Sequence, residues 1–588
     1  MIQASDDKPS GSYTAAGKHT TAAAVGKTYA EQFGPSENPD KRPARPDDGH
    51  VTSAGYAASS ETLADTVTPE AVRIDFSHPL EWWAARRPFR WLLRRLSRRG
   101  RDGTTALERI LESYRNPAAP RGDRIRYWLL HRFIDRMRGD VDAATFRQRL
   151  ADNRPTVRGL VVVARSLGLF GPMVPQRFVA PLFAVWNFTN RCNLRCRHCY
   201  QDSDHAALPN ELSLAEKLDL VEQMADAYLP MLALSGGEPT VSPHLLSVVK
   251  RAAGYGMHVT LATNGTTMTP RRAGELADAG LRYVEISLDS VDAKRHDAFR
   301  GVPGMWEKAV AGARAVVETP GLRLGIAMCV HRGNLGEVRE MIEFAERLGA
   351  GCFAHFNFIP VGRGLRMVSG DITPRQREEL LALLNAKMQE GGIGVISTAP
   401  QLGRVCLAGA ALDGGRVTCS HAGSGSGVKA RVVAKYLGGC GAGRTYACVE
   451  PDGNVTPCVY LPHRVMGNVR DKPFARIFRE SVFWDVLNDR SARLHHCEVC
   501  AFRNYCGGCR ARADAYFGQL HAGDPGCIFN EKHWDALVAA GIAQVEPTNS
   551  TNRTEGEDHD GPSLDGGGPV PADPPEGLVV TPTRHGPG

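Results

Sequence analysis

The chain has 588 residues, 42% of them hydrophobic, which predicts about three domains with buried cores. Its net charge of +7 is modest, and the absence of any stretch of 18 or more apolar residues argues against a membrane-spanning helix. The N-terminal MIQASDDKPSGSY lacks the pattern of a secretory signal, so we expect a cytoplasmic protein. In a reducing compartment, fifteen cysteines favour metal or redox chemistry over disulfides.

Both ends of the chain are predicted to be disordered tails. Residues 1–75 are dominated by small and polar side chains without a sustained apolar period, and residues 546–588 are rich in Pro, Gly and acidic side chains. Neither segment can bury enough apolar surface to offset the entropy lost on ordering.

Residues 76–175 are predicted to form an all-helical accessory domain. The segment RRPFRWLLRRLSRRGR (86–101) carries eight arginines, and Phe89, Leu92, Leu93 and Leu96 repeat at i, i+3, i+4 and i+7. A helix here therefore has an apolar stripe and a basic outer face. We interpret that face as solvated, in preference to a membrane or nucleic-acid docking site.

From residue 180 to 395 the pattern alternates between strand and helix, which predicts an α/β fold. Six β-rich runs, beginning with LFAVWNF at residue 182, are separated by helical stretches such as SLAEKLDLVEQMADA. Repeated βα units imply parallel strands with right-handed crossovers, and ligands collect at the carboxyl ends of such strands. The motifs SGGE, TNG and SLDS each follow a strand, so we expect them on one rim.

A loop with three cysteines follows the first strand. Cys192, Cys196 and Cys199 stand in a C-x3-C-x2-C spacing within NFTNRCNLRCRHCYQ. A closed zinc site or an ordinary four-iron cluster takes four protein ligands. One interpretation is a zinc knuckle completed by His198 or His205. The other is a [4Fe–4S] cluster whose fourth iron stays open for a substrate or cofactor.

The three-cysteine spacing, an aromatic residue next to it and a downstream GGEP together resemble the radical S-adenosylmethionine (radical SAM) superfamily. The resemblance implies a partial (β/α)6 barrel and a cluster that binds SAM at its open iron. One electron then cleaves SAM to a 5′-deoxyadenosyl radical, which abstracts hydrogen from a substrate. By position, the likeness places Tyr200 near the adenine, Gly236, Gly237 and Glu238 at the methionine amino group, and Ser287 near the ribose. Asn264 is interpreted as a turn residue.

Eight further cysteines lie between residues 440 and 527. Eight thiols suit two fully ligated clusters of four, although two zinc sites would use the same spacing. The segment PDGNV predicts a hairpin turn that brings two of these cysteines together, Cys440 and Cys458.

The pattern C-x12-G-x4-C, C-x2-C-x5-C-x2-C and a distant Cys resembles the SPASM domain of many radical SAM enzymes, placed here at 396–535 with its linker. The run CGGCRARA is similar to the haem and haem d1 synthesis branch, and PVGRG at 360–364 favours the same branch. Val459 argues against the sulfatase-maturing subgroup. Carried over by position, one auxiliary cluster uses Cys440, Cys448, Cys458 and Cys509, and the other uses Cys497, Cys500, Cys506 and Cys527.

Four cysteines remain, and they are interpreted as packed thiols: Cys329 and Cys352 in apolar strands, and Cys406 and Cys419 around a Gly-rich linker. No general base can be named from the sequence. Rim candidates are Asp289, His331 and His355.

Two classes of function follow. The resemblance implies a radical SAM oxidoreductase acting on a tetrapyrrole or other cofactor-like molecule, with a ribosomally made peptide or a lipid as alternative substrates. An electron donor such as ferredoxin or flavodoxin is implied, and nucleic acid is not expected. The non-catalytic alternative is an iron–sulfur electron-transfer protein, against which the three-cysteine loop followed by GGEP argues.

Overall fold

A computed structural model describes residues 79–116, 120–137, 144, 147–148, 154–409, 415–418 and 424–543. The predicted tails (1–75 and 546–588) and Cys419 lie outside the described residues. Within the described part of the chain, no helix combines the length and apolar character needed to cross a bilayer.

The N-terminal part is helical, as predicted. A capping box between Thr105 and Glu108 starts one helix, with each side chain bonded to the other residue's backbone N–H. Gly168 lets two of these helices cross closely, because a Cβ there would meet the backbone N of Arg94 at 3.0 Å. The helices are α1 Pro79–Ala85, α2 Arg87–Leu96, α3 Ala106–Arg115, α4 Arg121–Arg126, α5 Trp128–Met137 and α6 Arg154–Phe170.

The centre of the molecule is a parallel sheet whose first six strands are the six predicted runs. Neighbouring strands pair in chain order, and a seventh strand continues the sheet beyond the sixth. The strands are β1 Phe183–Asn187, β2 Met231–Ser235, β3 His258–Thr263, β4 Tyr283–Ser287, β5 Arg323–Val330, β6 Cys352–Asn357 and β7 Gly394–Ser397.

The connecting helices begin with strong caps. Ser213 with Glu216 and Thr373 with Gln376 form capping boxes, which satisfy backbone N–H groups at the first turn. The helices are α7 Leu214–Asp226, α8 Leu245–Gly254, α9 Pro270–Asp278, α10 Ala293–Arg300, α11 Met305–Glu318, α12 Val338–Arg347 and α13 Pro374–Glu390.

The C-terminal region extends the same sheet. A predicted hairpin does form at PDGNV, and its first strand pairs in parallel with β1 at the edge opposite β7. The sheet therefore runs through the predicted boundary between the two domains. The elements are α14 Gln401–Gly409, β8 Arg416–Thr418, β9 Ser424–Ser426, α15 Gly427–Leu437, β10 Tyr446–Val449, β11 Asn454–Thr456, β12 Gly467–Asn468, α16 Phe474–Arg479, α17 Trp484–Asn488, α18 His496–Val499, α19 Arg510–Phe517 and α20 Glu531–Ala539.

Alternate residues along each strand face either the hydrophobic core or the hollow inside the curved sheet. On β4, Val284 and Ile286 are fully buried in the main hydrophobic core, whereas Tyr283, Glu285 and Ser287 line a cavity on the other face. The same alternation on the other strands leaves a hollow inside the curved sheet.

Candidate active site

A cavity of about 290 Å³ occupies the inside of the sheet. Its wall contains Cys192, Cys196 and Cys199 from the loop after β1. It also contains cysteines from the C-terminal region, namely Cys440, Cys458 and Cys509. The structure thus brings two of the three predicted cysteine groups to one cavity.

Each sulfur of the three-cysteine loop accepts a hydrogen bond. The N–H of Leu194 donates to Cys192 at 3.4 Å, the N–H of Ser203 donates to Cys199 at 3.5 Å, and the Arg300 guanidinium donates to Cys196 at 3.8 Å. Burial raises the pKa of the Cys192 thiol to about 12, so a bare thiolate is unfavourable there. Donors on every sulfur, together with burial that disfavours bare thiolates, fit a cluster held by three cysteines.

Arg300 is held by a buried carboxylate. Asp289 accepts from its Nε at 2.8 Å and from a second guanidinium nitrogen at 2.7 Å. Burial alone would raise the pKa of Asp289, but the charge of Arg300 lowers it to about 2. Asp289 is thus an ionised partner of Arg300, which leaves it unsuited to the general-base role considered for it.

His198 contributes an aromatic ring to the cavity. It stacks on Phe299 with ring centres 4.6 Å apart and an interplanar angle of 3°. Burial lowers its pKa to about 4, so the ring is neutral at pH 7. From the sequence, His198 was predicted only as an alternative zinc ligand, although its position between two of the cysteines indicated a place in the site.

The glycines after β2 allow the closest approach to the cysteine loop. Gly236 has φ +113°, and a Cβ at Gly237 would collide with the carbonyl oxygen of Arg191. Both glycines line the cavity. Glu238 is fully buried, and its carboxylate accepts from Thr263 Oγ1 at 2.7 Å and from the N–H of Asn264 at 2.8 Å. In this structure it therefore ties the end of β2 to the end of β3.

The remaining predicted SAM contacts also reach the cavity. Tyr200 lines it, donates from its hydroxyl to Asn187 Oδ1 at 2.9 Å, and meets Tyr460 edge-on at 5.3 Å. Ser287 lines it at the end of β4, as does Asn264, whose amide donates to Asn193.

Arg363 was not predicted as a site residue. Its side chain donates to the carbonyl oxygen of Cys196 at 3.0 Å and to that of Ser203 at 2.7 Å. The preceding Gly362 has φ +57° and lies so close to the loop that a Cβ would meet the carbonyl oxygen of Tyr200 at 2.5 Å. Both residues belong to PVGRG, which the sequence analysis noted only as a branch marker.

Cys440, Cys458 and Cys509 are neighbours in the cavity wall. Burial raises the pKa of Cys458 well above its usual value, and the adjacent Cys440 and Cys509 raise it further. The N–H of Arg512 donates to the sulfur of Cys509 at 3.4 Å. Cys448, assigned to the same cluster by position, lies on β10 outside the cavity wall, with its sulfur 3.5 Å from Glu450.

The other four cysteines form a second group. Burial raises the pKa of Cys506 strongly, and its neighbours Cys527, Cys497 and Cys500 raise it further. The sulfur of Cys506 accepts from the N–H of Gly508 at 3.4 Å. Four neighbouring thiols, of which all but Cys500 are buried, fit a fully ligated auxiliary cluster.

Glu285 and Cys329 also line the cavity, and neither position was predicted from the sequence. Burial raises the pKa of Glu285 to about 7. Cys329 had been interpreted as a core thiol, but on β5 it faces the hollow. Alternation along YVEISLDS would have placed Glu285 on the same face as Ser287.

Two family models match the chain. Residues 186–345 match the radical SAM superfamily, and residues 440–501 match SPASM, described as an iron–sulfur cluster-binding domain. An AdoMet-dependent heme synthase of Methanosarcina barkeri is 32% identical over 351 residues, which cover 60% of this chain and 97% of the relative.

The chain belongs to the radical SAM superfamily. It is therefore an enzyme that uses a [4Fe–4S] cluster and SAM, and its SPASM domain carries auxiliary iron–sulfur clusters. This assignment overturns the non-catalytic alternative.

Other relatives include both a haem-type synthase and a peptide cyclase. A pre-heme d1 synthase of Dinoroseobacter shibae is 29% identical, with 61% of this chain and 89% of the relative covered. A PqqA peptide cyclase of Rhizobium meliloti is 30% identical, with 60% and 88% covered. The crystal structure of Streptococcus suis SuiB bound to S-adenosylmethionine shares the fold, with a TM-score of 0.53, 14% identity and coverage of 72% of this chain and 93% of SuiB.

Proposed function

We propose that this radical SAM enzyme is an oxidoreductase that acts on a tetrapyrrole in haem-type cofactor synthesis. The observation that carries the proposal is the shared cavity, which is lined both by the three-cysteine loop and by Cys440, Cys458 and Cys509. A substrate bound between the two cysteine groups would lie within reach of both. The similarity to heme and pre-heme d1 synthases supports the tetrapyrrole class.

The bound cluster and SAM would supply an electron and a 5′-deoxyadenosyl radical for hydrogen abstraction. Cys192, Cys196 and Cys199 would anchor the catalytic cluster, and the N–H groups on their sulfurs would stabilise its negative charge. Gly236 and Gly237 line the cavity beside the loop, and their backbone would face SAM.

The cavity wall suits a flat, largely apolar substrate. Its lining includes Phe356, Phe358, Ile359 and Tyr460. Aromatic and aliphatic side chains of this kind bind extended aromatic rings by dispersion and burial of apolar surface.

The two cysteine groups of the C-terminal region would hold two auxiliary clusters that accept or relay electrons. We assign Cys440, Cys458 and Cys509 to the nearer cluster, with Cys448 as its least supported ligand because it lies outside the cavity wall. A small electron donor such as ferredoxin or flavodoxin would reduce the enzyme in the cytoplasm, where thiols stay reduced.

A peptide substrate is the second candidate, and the similarity to PqqA peptide cyclase favours it. Anaerobically reconstituted enzyme should separate the two classes when it is incubated with a panel of iron tetrapyrroles or with short peptides. Substrate-dependent 5′-deoxyadenosine formation with a tetrapyrrole supports the proposal, and formation with peptides alone overturns it.

The catalytic cluster is tested independently of the substrate. Cys192→Ala, Cys196→Ala and Cys199→Ala should each abolish SAM cleavage while most auxiliary iron remains bound, because each removes one of three anchors. Retained 5′-deoxyadenosine formation in any of the three variants would contradict the assignment.

A further inference from the structure

An apolar stripe is exposed on the accessory domain. Ile125, Trp128 and Leu129 have 77%, 58% and 74% of their surface exposed. Tyr127 joins α4 to α5 without interrupting the helical pattern, because its N–H donates to Asp123 and its carbonyl accepts from His131. The three apolar side chains therefore stand at i, i+3 and i+4 on one helical face.

The faces of α5 that adjoin the stripe are already occupied by the domain core. His131 contacts Ser113 at 3.0 Å, the hydroxyl of Tyr114 donates to Asp135 at 2.7 Å, and Ile134 packs on Leu111. The stripe is thus additional to the face that folds the domain. Single exposed apolar residues are ordinary, but a contiguous stripe marks an interaction site.

Arginines extend the stripe at both ends. Arg121 precedes it by one turn, and Arg132 and Arg136 follow it on the same face, all three exposed. Residues 79–137 contain fifteen arginines, no lysine and six carboxylates, a net charge of +9 against +7 for the whole chain. The basic character of the protein is therefore concentrated in this domain.

We propose that this outer face (Arg121, Ile125, Trp128, Leu129, Arg132 and Arg136) docks on the surface of an anionic lipid bilayer. Tryptophan and arginine suit the interfacial region, where an apolar body is buried and a polar or charged group meets headgroups.

Size and charge favour a bilayer over a protein partner. A stable protein interface buries roughly 1,000 Å² or more with good complementarity, and three side chains on a convex helix face provide much less. Shallow insertion of a few apolar side chains is sufficient at a membrane when basic residues add electrostatic attraction. The arginines supply the positive charge that anionic headgroups complement.

The test is co-sedimentation of the full-length holoenzyme with vesicles of phosphatidylcholine containing about one third phosphatidylglycerol, at low and high salt. We expect salt-sensitive binding to these vesicles and little to phosphatidylcholine alone. Arg121→Gln, Arg132→Gln and Arg136→Gln together should weaken binding on the order of 100-fold, about fivefold for each charge. Ile125→Gln, Trp128→Gln and Leu129→Gln together should weaken it at least about tenfold.

Matched controls lie on the barrel and the C-terminal region. Lys250→Gln, Lys294→Gln and Lys308→Gln remove the same number of exposed charges, and Leu246→Gln, Val317→Gln and Val482→Gln remove three exposed apolar side chains. Both control variants should bind like the wild type, and unchanged thermal melts should show that all variants fold.

Three results would overturn the proposal. The first is that the wild type does not bind anionic vesicles at low salt. The second is that either outer-face variant binds as well as the wild type. The third is self-association without vesicles that the Ile125→Gln, Trp128→Gln and Leu129→Gln variant abolishes. The last result would assign the face to a second copy of the chain.

Discussion

At the scale of single residues, Gly237 shows how closely the cysteine loop is packed. A Cβ at this position would collide with backbone atoms of Arg191, which no rotamer change can relieve. We expect Gly237→Ala to reduce 5′-deoxyadenosine formation at least about tenfold by displacing the loop that carries Cys192. Gly274→Ala is the matched control, because a Cβ there meets open space on α9. Equal activity of both variants would show that the close approach is not required.

Glu285 gives a prediction for stability against pH. Burial raises its pKa from 4.5 to about 7 in the folded protein, so the folded state binds the proton more tightly than the unfolded state. The carboxyl group therefore lowers stability increasingly as the pH rises from about 4.5 to about 7, and fully above that range. Glu285→Gln removes this penalty.

The advantage of Glu285→Gln should grow by about 1 kcal/mol between pH 6 and pH 8.5, and it is checked by thermal melts of the holoenzyme. Glu340→Gln, which changes an exposed carboxylate on α12, should show no comparable pH dependence. An unchanged difference between wild type and Glu285→Gln at the two pH values would contradict the burial argument.

Residue spacing predicted that the cysteines of the three-cysteine loop lie together, but not the placement of Cys448. The spacing treats all eight C-terminal cysteines alike, whereas Cys448 lies on the same face of β10 as Tyr446 but outside the cavity wall, with its sulfur beside Glu450. Arg363 was missed because its contacts with the loop span more than 160 residues of sequence. Local patterns specify residue types, and tertiary approach decides which of them meet.

At the scale of elements, a buried ion network joins the barrel to the C-terminal region. Asp371 is fully buried and accepts from Arg377 at 2.7 Å, from the Tyr516 hydroxyl at 2.9 Å and from Arg512. Arg512 lies on α19, which begins directly after Cys509. The network therefore positions Cys509, a proposed auxiliary ligand, relative to α13.

Asp371→Asn should destabilise the protein by about 3–5 kcal/mol, because it removes the negative charge between two buried arginines. It should also lower the auxiliary iron content, since α19 loses its anchor. Denaturant unfolding and iron analysis measure the two effects. Glu275→Gln removes an exposed carboxylate that pairs with Arg271, and it should change stability by no more than about 0.5 kcal/mol. Similar effects of the two substitutions would contradict the role of the network.

The strands were the most predictable elements, and their connection across the molecule was the least. Each of β1 to β6 is a β-rich run followed by a turn motif, so type and order follow from local composition. The pairing of β10 with β1 joins residues more than 250 positions apart, and nothing in either run specifies that partner. On α5, apolar side chains occupy both faces, so periodicity could not show which face the core would cover.

At the scale of the whole molecule, two cysteine groups that line one cavity predict separate functions for the two groups. If Cys440, Cys458 and Cys509 hold an auxiliary cluster, replacing all three with Ala should lower the iron content from about twelve to about eight per chain. SAM cleavage with a chemical reductant should persist, because the three-cysteine loop is held by separate contacts from Arg300 and Arg363. Product formation should fall to background, since the cavity would lack the nearer electron acceptor.

Cys352→Ala removes a buried thiol outside the cavity wall and should leave iron content and product unchanged. Loss of SAM cleavage in the triple variant, with normal folding, would show instead that the two cysteine groups do not act separately.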